Sequence, residues 1–249
     1  MVPRTIFALF ALAGPAAAQT QPVYDFVYSP QPAAFARFGT STAVLDWNGD
    51  GYLDLAVGAP GEGRVYLMLS DGHPTQPTYT FAPPALEPPV PQAGDEFGFD
   101  VFAAELDGDP GSELVVGAPA RVVFGVPEVG AAYVFGLAGG TFELPAPKVE
   151  SGRFGVCVAS GDLDDDGVND LVVTAPHALL GGVPAGSVHI FYGPFGGALR
   201  VRTLVNPQGA TQWGNYGNEA VVEDVDGDGR ADLIVSAIGN TSAGIEAAG

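Results

Sequence analysis

Basic residues are scarce. Nine Lys and Arg stand against 29 Asp and Glu in 249 residues, a formal charge of −20. A surface of that sign repels nucleic acid and anionic lipid, which excludes both as natural partners and favours cations. Cysteine is nearly absent: Cys157 is alone, so an intrachain disulfide and a thiolate metal cluster are ruled out. In its apolar setting it reads as a buried small hydrophobe. The three histidines, His73, His177 and His189, lie outside the acidic motifs and read as surface or strand residues. Zinc therefore lacks the nitrogen and sulfur ligands it prefers. No nucleophile elbow and no Cys–His pair is present, so the chain reads as non-catalytic. Nothing sustains a 3.6-residue apolar period. Beyond the N-terminus no apolar run approaches the roughly 20 residues needed to span a bilayer, so no membrane insertion is expected.

Glycine and proline are plentiful, 36 and 22 residues, and 47% of the chain is hydrophobic. The first pair argues for many turns and short strands; the second supplies a sizeable core. The N-terminus reads as an address. Arg4 precedes a short apolar run at 6–12, then Pro15 and Ala16-Ala17-Ala18. That order is a cleavable signal peptide over 1–18, leaving Gln19 first and the domain at 19–249. The protein is then secreted or displayed at the cell surface, periplasmic or extracellular in a bacterium.

The rest is a repeat. An acidic nonapeptide occurs at 46–54, 105–113, 162–170 and 224–232. An aromatic-glycine pair begins eight residues before each: Phe38-Gly39, Phe97-Gly98, Phe154-Gly155 and Tyr216-Gly217. A small-Ala pair begins twelve residues after each first acid: Gly58-Ala59, Gly117-Ala118, Thr174-Ala175 and Ser236-Ala237. The repeats run approximately over 38–93, 97–150, 154–212 and 216–249. Short β-branched runs follow each acidic loop, at 53–58, 114–117, 171–174 and 233–236. Further strands are expected at 64–69, 132–135 and 187–192, and weaker ones at 78–81, 141–144 and 201–205. With one strand ahead of each loop, about 60 residues hold four strands, the size of a propeller blade.

The aromatic-Gly pair, the Asp-x-Asn/Asp-x-Asp-Gly-x-x-Asp loop and Gly-Ala-Pro together resemble the FG-GAP repeats of integrin α-subunit N-terminal β-propellers and their bacterial relatives. The resemblance covers 38–238. It implies an all-β fold: a β-propeller of about four FG-GAP blades, each a four-stranded antiparallel sheet, with Ca²⁺ in some of the loops. The second loop departs from the pattern, with Glu at both ends and Pro110-Gly111 inside. The family's propellers usually have seven blades. Three accounts of the four repeats are open: part of a longer, seven-bladed propeller, a compact four-bladed ring, or two copies completing one another. The register puts the fourth repeat's third strand just past residue 249, which favours the first account. It also leaves a blade edge open to self-association. The segment 23–28 has the place of an outermost strand of a preceding blade.

The loop chemistry stands on its own. Ca²⁺ takes six to eight oxygens at roughly 2.3–2.6 Å. Oxygen side chains at loop positions one, three and five converge, glycine at six permits the bend, and a carbonyl near seven and a carboxylate at nine complete the shell. The first loop offers Asp46, Asn48, Asp50 and Asp54 with the Tyr52 carbonyl. The third offers Asp162, Asp164, Asp166 and Asp170, and the fourth Asp224, Asp226, Asp228 and Asp232. Glu105, Asp107, Asp109 and Glu113 of the second loop form a weaker set, since Pro110 restricts the bend. The same residues also make Asp-Gly turns capped by their own side chains. The absence of Glu at position twelve and the strand-like flanks exclude a helix-loop-helix Ca²⁺ site. Sixteen of the 29 acids lie in these four loops. The expected function is a non-catalytic, Ca²⁺-binding adhesion or recognition module for an extracellular protein or polysaccharide, with 73–93 and 120–130 as recognition loops. The alternative is the accessory repeat region of a secreted hydrolase, or a minor hydrolase itself.

Overall fold

The computed structural model describes residues 8–12, 23–73, 78–109, 111–137, 140–146, 150–195, 197–209 and 214–239. Strands β1 (Ala8–Leu12) and β2 (Val23–Val27) pair antiparallel as a separate hairpin. Most of the expected signal peptide therefore lies outside the described residues, and its apolar run contributes β1. The 23–28 segment was expected to join a blade. It pairs with β1 instead, because the apolar run upstream offers a complementary strand close in sequence.

Three four-stranded antiparallel sheets follow in meander order. The first comprises β3 (Thr42–Leu45), β4 (Asp54–Ala59), β5 (Arg64–Ser70) and β6 (Tyr79–Leu86). The second comprises β7 (Val101–Ala104), β8 (Glu113–Ala118), β9 (Ala131–Phe135) and β10 (Thr141–Leu144). The third opens with β11 (Val158–Gly161) and β12 (Asp170–Ala175). A two-stranded hairpin, β13 (Leu179–Leu180) and β14 (Val183–Pro184), interrupts it before β15 (Ser187–Tyr192) and β16 (Arg200–Val205). Last come β17 (Tyr216–Glu223) and β18 (Asp232–Ala237), paired only with each other among the described residues. The sheet order matches the repeat reading. Its excess is β6, which runs on to Leu86 and takes up part of the expected 73–93 loop.

The two flanking motifs turn out to be the joint between sheets. The second strand of each full sheet is buried on both faces. A Cβ on Gly58 would lie 2.1 Å from the Gly98 carbonyl oxygen, and one on Gly117 would lie 2.0 Å from that of Gly155. Each Gly-Ala glycine thus lets the next repeat's aromatic-glycine backbone sit directly on the sheet. The later glycine has positive φ, +87° at Gly98 and +96° at Gly155. Its N–H donates to the carbonyl of its own repeat's small residue, Gly117 (3.0 Å) and Thr174 (2.9 Å).

The aromatics complete the joint. Phe97 shares one buried cluster with Val65 and Leu67 of the first sheet and Leu114 and Tyr133 of the second. Phe154 likewise joins Val115 and Val134 to Leu171 and Phe191. Phe97 packs edge-on against Tyr133 and Phe135, and Phe154 against His189 and Phe191. Cys157 is buried at the next joint, where its Sγ accepts the Ala220 N–H at 3.4 Å. Burial pushes its thiol up to about 12, which leaves it unreactive.

Candidate metal centre

Each acidic loop joins the first and second strands of a repeat, so all four sit at the same end of their strands. They also touch. The Ser112 N–H donates to the Asp46 carbonyl at 2.9 Å, and Asn169 Nδ2 donates to the Glu105 carbonyl at 3.0 Å. The loops therefore form an arc along one rim.

Within a loop, each position has a fixed local task. The first acid caps the glycine bend: Asp46 Oδ2 accepts the Gly51 N–H, Asp162 Oδ2 that of Gly167, and Asp224 Oδ2 that of Gly229, all at 2.8 Å. The fifth accepts the N–H two residues on. Asp50 does so with Tyr52, Asp166 with Val168, Asp228 with Arg230 and Asp109 with Gly111. These are Asx turns. The ninth residue opens the second strand and reaches back to the second: Asp54 to Trp47, Glu113 to Leu106, Asp170 to Leu163 and Asp232 to Val225. Asp54 and Asp170 extend further, accepting the Ser70 N–H at 2.8 Å and the Gly193 N–H at 3.0 Å.

These bonds pull carboxylates together. Ligand oxygens of Asp162, Asp164 and Asp170 lie within 4.8 Å of one another, as do those of Asp224, Asp226 and Asp232. Asp166 and Asp228, at position five, turn to their Asx bonds, and Arg200 lies 3.6 Å from Asp166 and 3.2 Å from Asp164. In the second loop the cluster is Asp107, Asp109 and Glu113. Glu105 is held by the Ser112 hydroxyl at 2.5 Å, and Pro110 lies outside the described residues. In the first loop the neutral Asn48 bonds the Asp50 carboxylate through Nδ2 at 2.9 Å. The Tyr52 backbone enters as a donor to Asp50; its ring is half exposed.

Electrostatics follow from this crowding. Burial raises the carboxyls of Asp54, Asp170 and Glu113 above the ordinary range; backbone N–H bonds oppose the shift and neighbouring loop acids reinforce it. The donor set is all oxygen and close-spaced, which suits a hard divalent cation and not zinc or copper.

The model of the FG-GAP repeat matches residues 38–68 and 154–191. The chain is an FG-GAP repeat protein. Integrin alpha-5 of Xenopus laevis is 35% identical over 222 residues, 81% of this chain and 20% of that protein. Integrin alpha-V of Gallus gallus is 33% identical over 236 residues, 87% of this chain and 22% of that protein. Phosphatidylinositol-glycan-specific phospholipase D of Mus musculus is 31% identical over 189 residues, 70% of this chain and 22% of that protein. The FG-GAP chain thus spans about a fifth of the length of these relatives. With that similarity, the three sheets are blades of a β-propeller. No closed ring forms among the described residues. No helix among them is long and apolar enough to cross a membrane.

Proposed function

We propose that this FG-GAP propeller is a Ca²⁺-binding recognition module working outside the cell. The observation that carries the reading is the recurrence of a three-carboxylate cluster in each of the loops 105–113, 162–170 and 224–232. A bare cluster is self-repelling, and a divalent cation reverses that repulsion. Asp162, Asp164 and Asp170 would hold one ion and Asp224, Asp226 and Asp232 another, with Asp166 and Asp228 turning in on loading. Asp46, Asn48, Asp50 and Asp54 would hold a third once the Asn48 amide presents its oxygen. The second loop would load through Asp107, Asp109 and Glu113. The ion's role is structural, fixing the hairpins on which the opposite rim is displayed.

Adhesion to an extracellular protein or polysaccharide fits the integrin similarity, and export through the N-terminal leader fits the acidic surface. Calorimetry of the whole chain tests the metal reading: Ca²⁺ titration should give saturable binding that falls by one site in each of Asp164→Ala and Asp226→Ala. Absence of binding in millimolar Ca²⁺ would refute it. A second reading, a minor hydrolase or the accessory repeat region of one, rests on the phospholipase D similarity. Phosphodiester cleavage by the purified chain would establish it over the first.

A further inference from the structure

Lined up by repeat, the third strands place Tyr66, Tyr133 and His189 at one position, each edge-on to the aromatic of its FG pair. Tyr66 donates its hydroxyl to Glu62 at 2.6 Å. Tyr133 is fully buried, and its hydroxyl has no hydrogen-bond partner among the described residues. The third blade departs from this: imidazole replaces phenol, and a cavity of about 180 Å³ lies beside it. Its walls include Phe154, Ala175, Ala178 and Leu179, from the joint between the second and third blades. Phe154 and His189 are buried, whereas Thr203 and Val205, also in the lining, are exposed, so the cavity opens to solvent. It lies at the end of the strands away from the acidic loops.

The polar groups lining it are linked. Ser187 Oγ is 2.8 Å from His189 Nε2, and Thr203 Oγ1 is 3.0 Å from His189 Nδ1. A neutral imidazole offers one donor and one acceptor nitrogen. It therefore accepts from one hydroxyl and donates to the other, and the second hydroxyl directs its own hydrogen elsewhere. Because a hydroxyl, not a carboxylate, stands behind Nδ1, the chain is built for hydrogen bonding and not for generating a nucleophile. Glu150 also lines the cavity, one oxygen taken by the Leu179 N–H at 3.2 Å, and its charge disfavours anions.

We propose that this inter-blade cavity is a binding site for a phenol-sized group: an uncharged aromatic ring bearing one hydroxyl. The volume decides the size, since an apolar cavity of roughly 150 Å³ takes benzene. The Ser187–His189–Thr203 chain and Glu150 supply the polar end. The ring replaces, from outside, the phenol that Tyr133 supplies from within the second blade. A free phenolic molecule and a tyrosyl side chain of a partner protein present the same chemistry.

The test is ligand-observed NMR titration of the whole chain in Ca²⁺, with p-cresol, toluene and a short peptide containing one tyrosine. The expected result is saturable p-cresol binding, roughly tenfold tighter than toluene, the worth of about one hydrogen bond. His189→Tyr should abolish it while keeping the fold, because two sister blades carry Tyr there. Should that variant fail to fold, Ala178→Leu fills the cavity without touching the imidazole and should also abolish binding. Peptide binding alongside p-cresol identifies a partner's side chain as the source; p-cresol binding alone identifies a small molecule. No binding of either probe, equal binding of toluene, or binding unchanged when the cavity is filled overturns the proposal.

Discussion

The third blade and the β17–β18 hairpin carry the same acidic loop and differ in what surrounds it. Both loops gather three carboxylates within 4.8 Å and repeat the same glycine and Asx bonds. Yet β12 is buried throughout, while β18 is only partly buried along its length, with Ile234 45% exposed. Asp170 grips the Gly193 N–H beyond its own hairpin, a contact supplied by the end of β15. The loop's geometry is therefore a local property of nine residues. Its burial, and the rigidity that comes with burial, depend on the third strand and the neighbouring sheet.

The sharpest way to break this comparison is to truncate equivalent core residues. Leu171 and Leu233 occupy the same repeat position, but only Leu171 is fully buried. Leu171→Ala should cost about 3 kcal/mol of unfolding free energy and Leu233→Ala about 1. Urea titrations of both variants in Ca²⁺ check this; equal losses would show the hairpin to be packed like a complete blade.

Next in size is the ninth carboxylate. Asp170→Ala strands the buried Gly193 N–H and the part-buried Leu163 N–H and should cost about 2 kcal/mol, against under about 1 for Asp232→Ala. Hydrogen exchange at Leu163 and Gly193 should speed up in the first variant, and that at Val225 only slightly in the second.

The pH dependence without cation should be smaller again. Asp54, Asp170 and Glu113 have raised carboxyl pKa values in the folded state. The folded protein thus holds protons that the unfolded chain has released, so the stability these groups give is present in acid and lost as pH rises through the raised values. With EDTA, the melting temperature should fall as the pH is raised from the ordinary carboxylate range toward neutrality. Ca²⁺ should remove most of that difference, and the third loop should contribute more of it than the fourth. A melting temperature independent of pH in EDTA would contradict the electrostatic account.

Much of this is legible in the amino-acid sequence. Fixed register between Phe38-Gly39, the acidic loop and Gly58-Ala59 predicts the hairpin, because each feature is a backbone requirement: a positive φ, a sharp bend, a close approach. Three things were hidden. The second cluster starts at Asp107 and not Glu105, since the Ser112 hydroxyl takes the longer side chain away. The β13–β14 hairpin sits inside a stretch with no repeat counterpart to align it. The site at His189 was hidden because a lone strand histidine looks structural. Its signal lay in the third strands, where Tyr66 and Tyr133 change to histidine between Ser187 and, across the sheet, Thr203.

The smallest effect belongs to the first loop and tests whether local sequence alone makes a cation site. There Asn48 stands where the third and fourth loops have Asp164 and Asp226. Its amide nitrogen now bonds Asp50, so loading requires the amide to turn and that bond of 2.9 Å to be given up. Asn48→Asp removes the bond and gives the loop four carboxylates at the positions of Asp224, Asp226, Asp228 and Asp232, without the basic neighbour that Arg230 supplies there. In Ca²⁺ the variant should bind at this loop several-fold more tightly. In EDTA it should melt a few degrees lower, because the added charge has no partner. A gain in affinity comparable to the fourth loop would confirm that nine residues suffice. No gain would place the missing determinant in the contact with the next loop, where the Asp46 carbonyl accepts the Ser112 N–H.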